Sequence, residues 1–123
     1  MPRKRILVKS IDTSISYQVI GIDLAKHLVS ACLITGAGEI FGIDRLTYDD
    51  LLKSAERMSP TLFCMEPCPE VHYLAEKLQG YGHHTKVIDG AAVKEYIKTH
   101  FGGQKTDLND AQAIAFLSLD TNI

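Results

Sequence analysis

The sequence contains no tryptophan, only four prolines and only three cysteines among its 123 residues. It also lacks any apolar run near the ~20 residues that a membrane-spanning helix needs. The N-terminal Met-Pro-Arg-Lys-Arg is not followed by the long apolar stretch of a signal peptide. An odd number of cysteines in such a chain is typical of free thiols rather than of a disulfide framework. These absences predict a cytoplasmic protein that has no membrane partner.

The composition is that of an ordinary globular protein. Hydrophobic residues make up 46% and charged residues 23%, which argues against a disordered, collagen-like or coiled-coil chain. The length fits one domain with a single closed core. A net charge of −2 leaves nucleic-acid binding open, because local clusters of basic residues matter more than their sum.

The chain divides into a short basic segment and one domain. Residues 1–16 are basic at the start and then rich in serine and threonine, which predicts a loose N-terminal arm. Within residues 17–123, short runs rich in β-branched residues predict strands, and apolar patterns with a period near 3.6 predict helices. The expected strands are 17–22, 28–34, 39–43, 61–65 and 85–88, and the expected helices are 47–58, 71–78, 91–99 and 107–119.

The order of these elements predicts an α/β fold. Three short strands separated by turns favour an antiparallel meander, and the later alternation of helices and strands favours parallel strands with right-handed crossovers. The result is a mixed sheet with helices on both faces. This is the element order of the RNase H-like fold, which generic small α/β folds share in part.

Four acidic residues stand at the ends of predicted elements. Asp23 and Glu66 each follow an apolar strand, and Glu66 stands at the carboxyl edge where open α/β sheets form their sites. Asp107 and Asp110 are three residues apart, so they share one face of the last helix. Structural alternatives are an ion pair of Asp23 with Lys26, an exposed loop position for Glu66, and capping of the last helix by the two aspartates.

Together these four carboxylates predict a metal site, provided that they converge at one end of the sheet. Close carboxylates repel one another unless cations lie between them, and oxygen ligands of this kind suit Mg²⁺ or Mn²⁺. Two such ions about 4 Å apart stabilise an in-line phosphoryl displacement. The chemistry indicated is cleavage or transfer of a nucleic-acid strand.

Basic residues near these acids are candidates for contacts with a phosphate backbone. Lys94 and Lys98 are four residues apart on one helix, Lys105 precedes the acidic pair, and Lys26 follows Asp23. The alternative for the pair on the helix is a solvated helix face.

Two other pairs of adjacent polar residues are expected to have structural roles or to be exposed, rather than to form a site. Asp44 precedes Arg45 and a predicted helix start, which favours a helix cap or an ion pair with Arg45. His83 and His84 lie in a turn between a helix and a strand, where solvent exposure is expected.

At these residues the sequence resembles the N-terminal, RuvC-like DEDD domain of the IS110-family transposases, which are related to the pilin-gene invertases. The resemblance covers about residues 17–117, and its specificity comes from the order and spacing of several short motifs. The motifs are Gly21-Ile22-Asp23-Leu24-Ala25-Lys26, Met65-Glu66-Pro67-Cys68, His72-Tyr73-Leu74-Ala75-Glu76-Lys77-Leu78, Gly82-His83 with Val87-Ile88, and Lys105-Thr106-Asp107-Leu108-Asn109-Asp110-Ala111.

The resemblance implies an RNase H-like domain that binds a divalent metal and takes part in DNA strand exchange. The acids of the family fall on Asp23, Glu66, Asp107 and Asp110, which become the catalytic and metal-ligating candidates. The resemblance also implies homo-oligomers, a structured guide RNA in many members, and a C-terminal domain with a nucleophilic serine. No serine of this chain has the context of that serine motif, so we expect a domain that is catalytically incomplete by itself.

The first hypothesis is therefore the catalytic domain of a DNA transposase or site-specific recombinase. One alternative is a nucleic-acid-binding and oligomerisation module that is inactive on its own. Another is a stand-alone RuvC-like nuclease, and a third is a plain α/β domain whose acids form caps and ion pairs.

Overall fold

A computed structural model describes residues 4–120. It contains a six-stranded sheet and four helices, with the strands in the spatial order β1-β4-β3-β2-β5-β6. The strands are β1 Arg5–Leu7, β2 Tyr17–Leu24, β3 Leu28–Thr35, β4 Ile40–Thr47, β5 Leu62–Met65 and β6 His84–Val87, and the helices are α1 Tyr48–Arg57, α2 Val71–Gly80, α3 Gly90–His100 and α4 Asp107–Ser118.

The pairing of the strands confirms the predicted RNase H-like architecture. Strands β2, β3 and β4 form an antiparallel meander, and β5 and β6 extend the sheet from β2 as parallel strands. Helices α1 and α2 are crossover connections, from β4 to β5 and from β5 to β6, as the alternating sequence pattern requires, and α3 and α4 follow the last strand. None of the helices formed by residues 4–120 combines the length and apolarity that crossing a membrane requires.

The N-terminal segment differs from the expected loose arm. Residues 5–7 form strand β1, which pairs in parallel with β4 at the edge of the sheet. Strand β1 is only three residues long, and the Ile6 and Leu7 side chains are exposed. Its short length gives little periodicity for a sequence pattern to detect, so this strand was not predicted.

Two apolar layers enclose the sheet. One layer lies between the sheet and helices α1 and α2 and includes Phe63, Leu51 and Leu74. Val19 and Ile114 represent the layer between the sheet and helices α3 and α4. Each large side chain buried in this way stabilises the fold by about 2 kcal/mol. We call the second side of the sheet the α3/α4 face.

Local sequence signals explain where helix α1 begins. Thr47 is its N-cap, and its hydroxyl oxygen accepts a hydrogen bond from the Asp50 backbone N–H at 3.0 Å. This is the capping interaction that the Thr47–Asp50 spacing predicts. Asp44 therefore does not cap this helix, and its carboxylate instead accepts a hydrogen bond from the Ser30 hydroxyl at 2.8 Å.

The expectation of solvent exposure is wrong for His83, whereas His84 is exposed. The His83 ring is buried, and its Nδ1 accepts a hydrogen bond from the Thr61 backbone N–H at 3.0 Å. Its Nε2 therefore carries the ring hydrogen and donates to the Ala55 carbonyl oxygen at 2.6 Å. The ring satisfies two backbone groups that are distant in the sequence, which no local pattern reveals.

Candidate functional site

The ends of strands β2 and β5 bring two of the predicted acids to the same edge of the sheet. The parallel register pairs Gly21 with Cys64 and Ile22 with Met65. Asp23 is the next residue of β2, and Glu66 directly follows the last residue of β5, so the two acids lie side by side after this pairing. Side chains alternate along a strand, which places both carboxylates on the α3/α4 face.

Helix α4 packs against β2 at Gly21 more closely than any side chain would allow. A Cβ atom at Gly21 would lie 2.3 Å from the Ala111 carbonyl oxygen and 2.5 Å from the Ala115 backbone nitrogen. The small Ala111 and Ala115 side chains complete this contact between the two backbones. As a result, the first turns of α4 lie directly over the end of β2 that carries Asp23.

This packing brings three of the four predicted acids together. One carboxylate oxygen from each of Asp23, Asp107 and Asp110 lies within 4.8 Å of the others. Asp110 is only 3% exposed, Asp23 is partly buried, and Asp107 is exposed. The cluster therefore has a buried floor and an open side. We call these three residues the acidic cluster.

Two of the structural alternatives for these acids do not match the structure. The N-cap of α4 is Thr106, whose hydroxyl accepts a hydrogen bond from the Asn109 backbone N–H at 3.0 Å, so neither aspartate is the capping residue. Within residues 4–120, no ion pair joins Asp23 to Lys26.

The two oxygens of the Asp110 carboxylate have different surroundings. Oδ2 accepts a charge-assisted hydrogen bond from Lys105 Nζ. Oδ1 is buried and has no hydrogen-bond partner among the described residues. Because buried polar atoms almost always have a partner, this oxygen is suited to bind a further cation. Since Asp110 belongs to the acidic cluster, that cluster is the candidate binding place for such a cation.

Burial and repulsion by a neighbouring charge raise the pKa values of Asp23 and Glu66. The pKa of Asp23 is raised to about 7, first by burial and then by the charge of Asp110 and by interactions with Asp107. The pKa of Glu66 is also raised, by burial and then by the charge of Asp110. Lys105 opposes both shifts. A divalent cation would relieve the same repulsion that raises these pKa values.

Glu66 lies outside the acidic cluster and faces an adjoining cavity. Its Oε2 atom is 3.4 Å from the position that a Cβ on Gly90 would occupy, which places the carboxylate next to the start of α3. The cavity has a volume of 510 Å³, and its walls include Lys94, Lys98 and Lys105. The structure therefore brings three of the four predicted basic residues around one cavity beside the acids.

Lys26 lies away from this cavity. It is exposed in the turn between β2 and β3, and it borders a different groove together with Tyr48 and Tyr73. It is thus separate from the three other lysines, although it is close in sequence to Asp23.

Sequence reasoning missed two basic residues near the site. Arg5 of β1 donates through one guanidinium nitrogen to the Gln112 side chain at 2.8 Å and, more weakly, to Asn109 and the Leu108 carbonyl oxygen. Its side chain crosses Gly42, where a Cβ would lie 2.8 Å from Arg5 Cδ. Arg45 borders a second cavity with Asp23 and Asp107. An arginine-to-glycine contact across neighbouring strands gives no signal in a single sequence.

The donor set fits a hard divalent cation. All three potential ligands in the acidic cluster are carboxylates, and one of their oxygens is buried without a partner among residues 4–120. Magnesium and manganese favour oxygen ligands of this type, whereas zinc sites usually contain histidine or cysteine. The arrangement can hold Mg²⁺ or Mn²⁺ beside a lysine-lined cavity that suits a phosphate backbone.

Comparison with known proteins identifies relatives of one kind. The model of a transposase family, the DEDD transposases of IS110, matches residues 20–122. The transposase for insertion sequence element IS1111A of Coxiella burnetii is 29% identical over 98 residues, which cover 80% of this chain and 26% of that protein. The transposase for insertion sequence element IS1328 of Yersinia enterocolitica is 28% identical over 96 residues, covering 78% of this chain and 28% of that protein. The chain thus spans about a quarter of the length of these relatives.

Proposed function

This chain belongs to the IS110 family of DEDD transposases, and we propose that it is the metal-binding catalytic domain of a DNA transposase. The proposed reaction is cleavage and transfer of a DNA strand in the cytoplasm. The observation that carries the proposal concerns Asp110, one of a cluster of three carboxylates: its Oδ1 is buried and has no hydrogen-bond partner in the described part of the chain. A structural ion-pair network would instead satisfy each buried oxygen.

Asp23, Asp107 and Asp110 would hold the metal, and Glu66 would complete the site from the edge of the adjoining cavity. When bound, Mg²⁺ or Mn²⁺ supplies Lewis-acid activation of a phosphodiester oxygen. Lys105 fixes the orientation of Asp110 by bonding its Oδ2 oxygen, which leaves Oδ1 directed elsewhere. The raised pKa of Asp23 means that its carboxyl must release a proton for the site to bind a cation near neutral pH.

The lysines of the cavity would bind the DNA backbone. Lys94 and Lys98 lie on α3, one turn apart. Lys105 borders the same cavity and also contacts Asp110 of the acidic cluster. Phosphate contacts of this kind position a nucleic acid without reading its sequence. Lys26 would contact DNA separately, from the turn that follows Asp23.

Further partners follow from the resemblance to the family. We propose that the domain acts within a homo-oligomer, with a structured guide RNA and a serine domain that joins DNA covalently. The serine domain would supply the step for which this chain has no matching serine motif. The chain alone would then bind metal and DNA but would not complete recombination.

Calorimetric titration with Mn²⁺ tests the metal site directly. We expect wild type to bind Mn²⁺ and Asp110→Asn to lose at least about a hundredfold in affinity, because the variant replaces a buried ligand by an amide of the same shape. Asp49→Asn is the matched control, since the exposed Asp49 carboxylate forms an ion pair with Lys53 at 3.0 Å on α1, and with no other of the residues 4–120. Equal affinities for wild type and Asp110→Asn would overturn the proposal.

A binding module without catalytic activity is the second candidate, and the three lysines around the cavity favour it because they need no metal. DNA binding that persists in EDTA, with no Mn²⁺ binding by the folded chain, would make this candidate the better one. Nicking of a supercoiled plasmid by the chain alone in Mn²⁺ would instead indicate a stand-alone nuclease, and Asp110→Asn should abolish that nicking.

A further inference from the structure

Strand β4 contains a bulge beside the acidic cluster. The register pairs Val29 with Leu46 and Ala31 with Ile43, so Ser30 alone faces both residues 44 and 45. The extra residue lets Ile43 and Leu46, three positions apart, contribute to the same apolar core. Bulges of this kind redirect side chains and are frequent next to active sites.

Arg45 has an unusual backbone conformation within this bulge. Its φ angle is +63°, and it is the one non-glycine residue with a positive φ in the described range 4–120. A bulky side chain in this region is unfavourable, and glycine or asparagine would be the ordinary choice. Such strain points to a role for the side chain that the backbone conformation serves.

The bulge places Arg45 at a second cavity on the other side of the acids. This cavity has a volume of 230 Å³ and is bordered by Asp23, Asp107, Ser30, Asp44 and Arg45. The Asp44 carboxylate is bonded to Ser30, so the expected Asp44–Arg45 ion pair is absent from the part of the chain that the structure describes. Over the same residues, the Arg45 guanidinium has neither an ion-pair nor a hydrogen-bond partner, and it is exposed.

We propose that Arg45 binds a backbone phosphate of the DNA strand that lies across the acidic cluster. The lysine-lined cavity borders Glu66 on one side, and the Arg45 cavity borders Asp23 and Asp107 on the other. A strand that crosses the cluster would then meet cations before and after it. A guanidinium group suits this contact because its planar fork binds two phosphate oxygens at once. The inference rests on the proposed function and adds the path of the strand.

The test compares Arg45→Gly and Arg45→Lys with wild type. Glycine accepts the positive φ angle, so Arg45→Gly should retain or increase the thermal stability of the chain while removing the cation. Arg45→Lys keeps the charge without the fork. Arg57→Gln is the matched control, because it removes an exposed arginine at the end of α1, away from both cavities. The probe is a fluorescein-labelled DNA duplex of arbitrary sequence, titrated by anisotropy at several salt concentrations.

We expect Arg45→Gly to weaken DNA binding about tenfold and to reduce the slope of log affinity against log salt by about 1. Arg45→Lys should keep the slope and lose affinity to a smaller extent, Arg57→Gln should behave as wild type, and Mn²⁺ affinity should be unchanged in all three. Unchanged DNA affinity and slope in Arg45→Gly would overturn this inference alone. An equal loss in Arg57→Gln would also overturn it, because the effect would be general charge. If wild type bound neither DNA nor Mn²⁺, the proposed function would be overturned as well.

Discussion

The Ala111 carbonyl oxygen lies 2.3 Å from where a Cβ atom of Gly21 would stand. Strand β2 and helix α4 therefore touch through their backbones, two residues before Asp23 and one residue after Asp110. The distance between the two acids is set by this contact. Glycine at position 21 is needed for the absence of its side chain, since no positive φ angle is recorded there.

Gly21→Ala should separate α4 from β2. The added methyl group cannot fit, because two of its nearest neighbours are backbone atoms. Overpacking of this kind costs about 3 kcal/mol of unfolding free energy. We also expect at least about a tenfold loss in Mn²⁺ affinity, because Asp110 moves with α4. Urea unfolding and calorimetry measure the two effects. Gly36→Ala is the control, since nothing lies within 4 Å of its Cβ position, and its stability should change by less than about 0.5 kcal/mol.

The stability of the metal-free protein should fall as pH rises from about 4 to about 7. The folded state holds a proton on Asp23 in this range, since its pKa is raised to about 7, whereas the unfolded chain has already released it. Asp23→Asn should reduce this slope and be more stable than wild type above pH 7, with the remaining slope due to Glu66. Thermal unfolding in EDTA across this pH range measures the stability of wild type and Asp23→Asn. Glu56→Gln, an exposed control on α1, should follow wild type, and parallel curves for Asp23→Asn and wild type would contradict the prediction.

Arg5→Ala should loosen the start of α4. The substitution removes hydrogen bonds to the Gln112 and Asn109 side chains and to the Leu108 carbonyl oxygen, at a cost of about 1–2 kcal/mol. Mn²⁺ affinity should fall several-fold, because Asp107 and Asp110 lie on the same turns of the helix. Lys4→Ala removes the adjacent exposed cation and should change neither quantity. An unaltered Mn²⁺ affinity in Arg5→Ala would show that the helix start is positioned without this contact.

His83→Ala should be strongly destabilising, and His84→Ala should not. The first substitution leaves the Thr61 N–H and the Ala55 carbonyl oxygen buried without a partner, which costs about 3 kcal/mol in total. The exposed His84 should change stability by less than about 0.5 kcal/mol. Chemical denaturation of both variants at the same pH measures the difference. Similar losses in the two variants would argue against the buried ring as the source.

The order of most elements was predictable because their signals are local: short apolar runs for strands and, for helices α1 to α3, an apolar face with a period near 3.6. The Thr47 cap is local in the same way, since its partner Asp50 is three residues away. By contrast, the burial of His83, the pairing of β1 and the bulge at Arg45 depend on contacts between distant segments. Asp23 and Asp110 lie close together because α4 packs directly on β2 at Gly21. The apolar periodicity of the sequence does not predict this contact between distant segments. The roles of the four acids stay predictions from the motifs.

The contact between Arg5 and Gln112 joins residues 107 positions apart in the chain. During synthesis on the ribosome, the first strand and Asp23 emerge long before helix α4 is available to either of them. Two of the three clustered carboxylates, Asp107 and Asp110, belong to that last helix. A nascent or prematurely terminated chain therefore has no assembled acidic cluster. The three carboxylates can therefore meet only once nearly the whole domain has been translated.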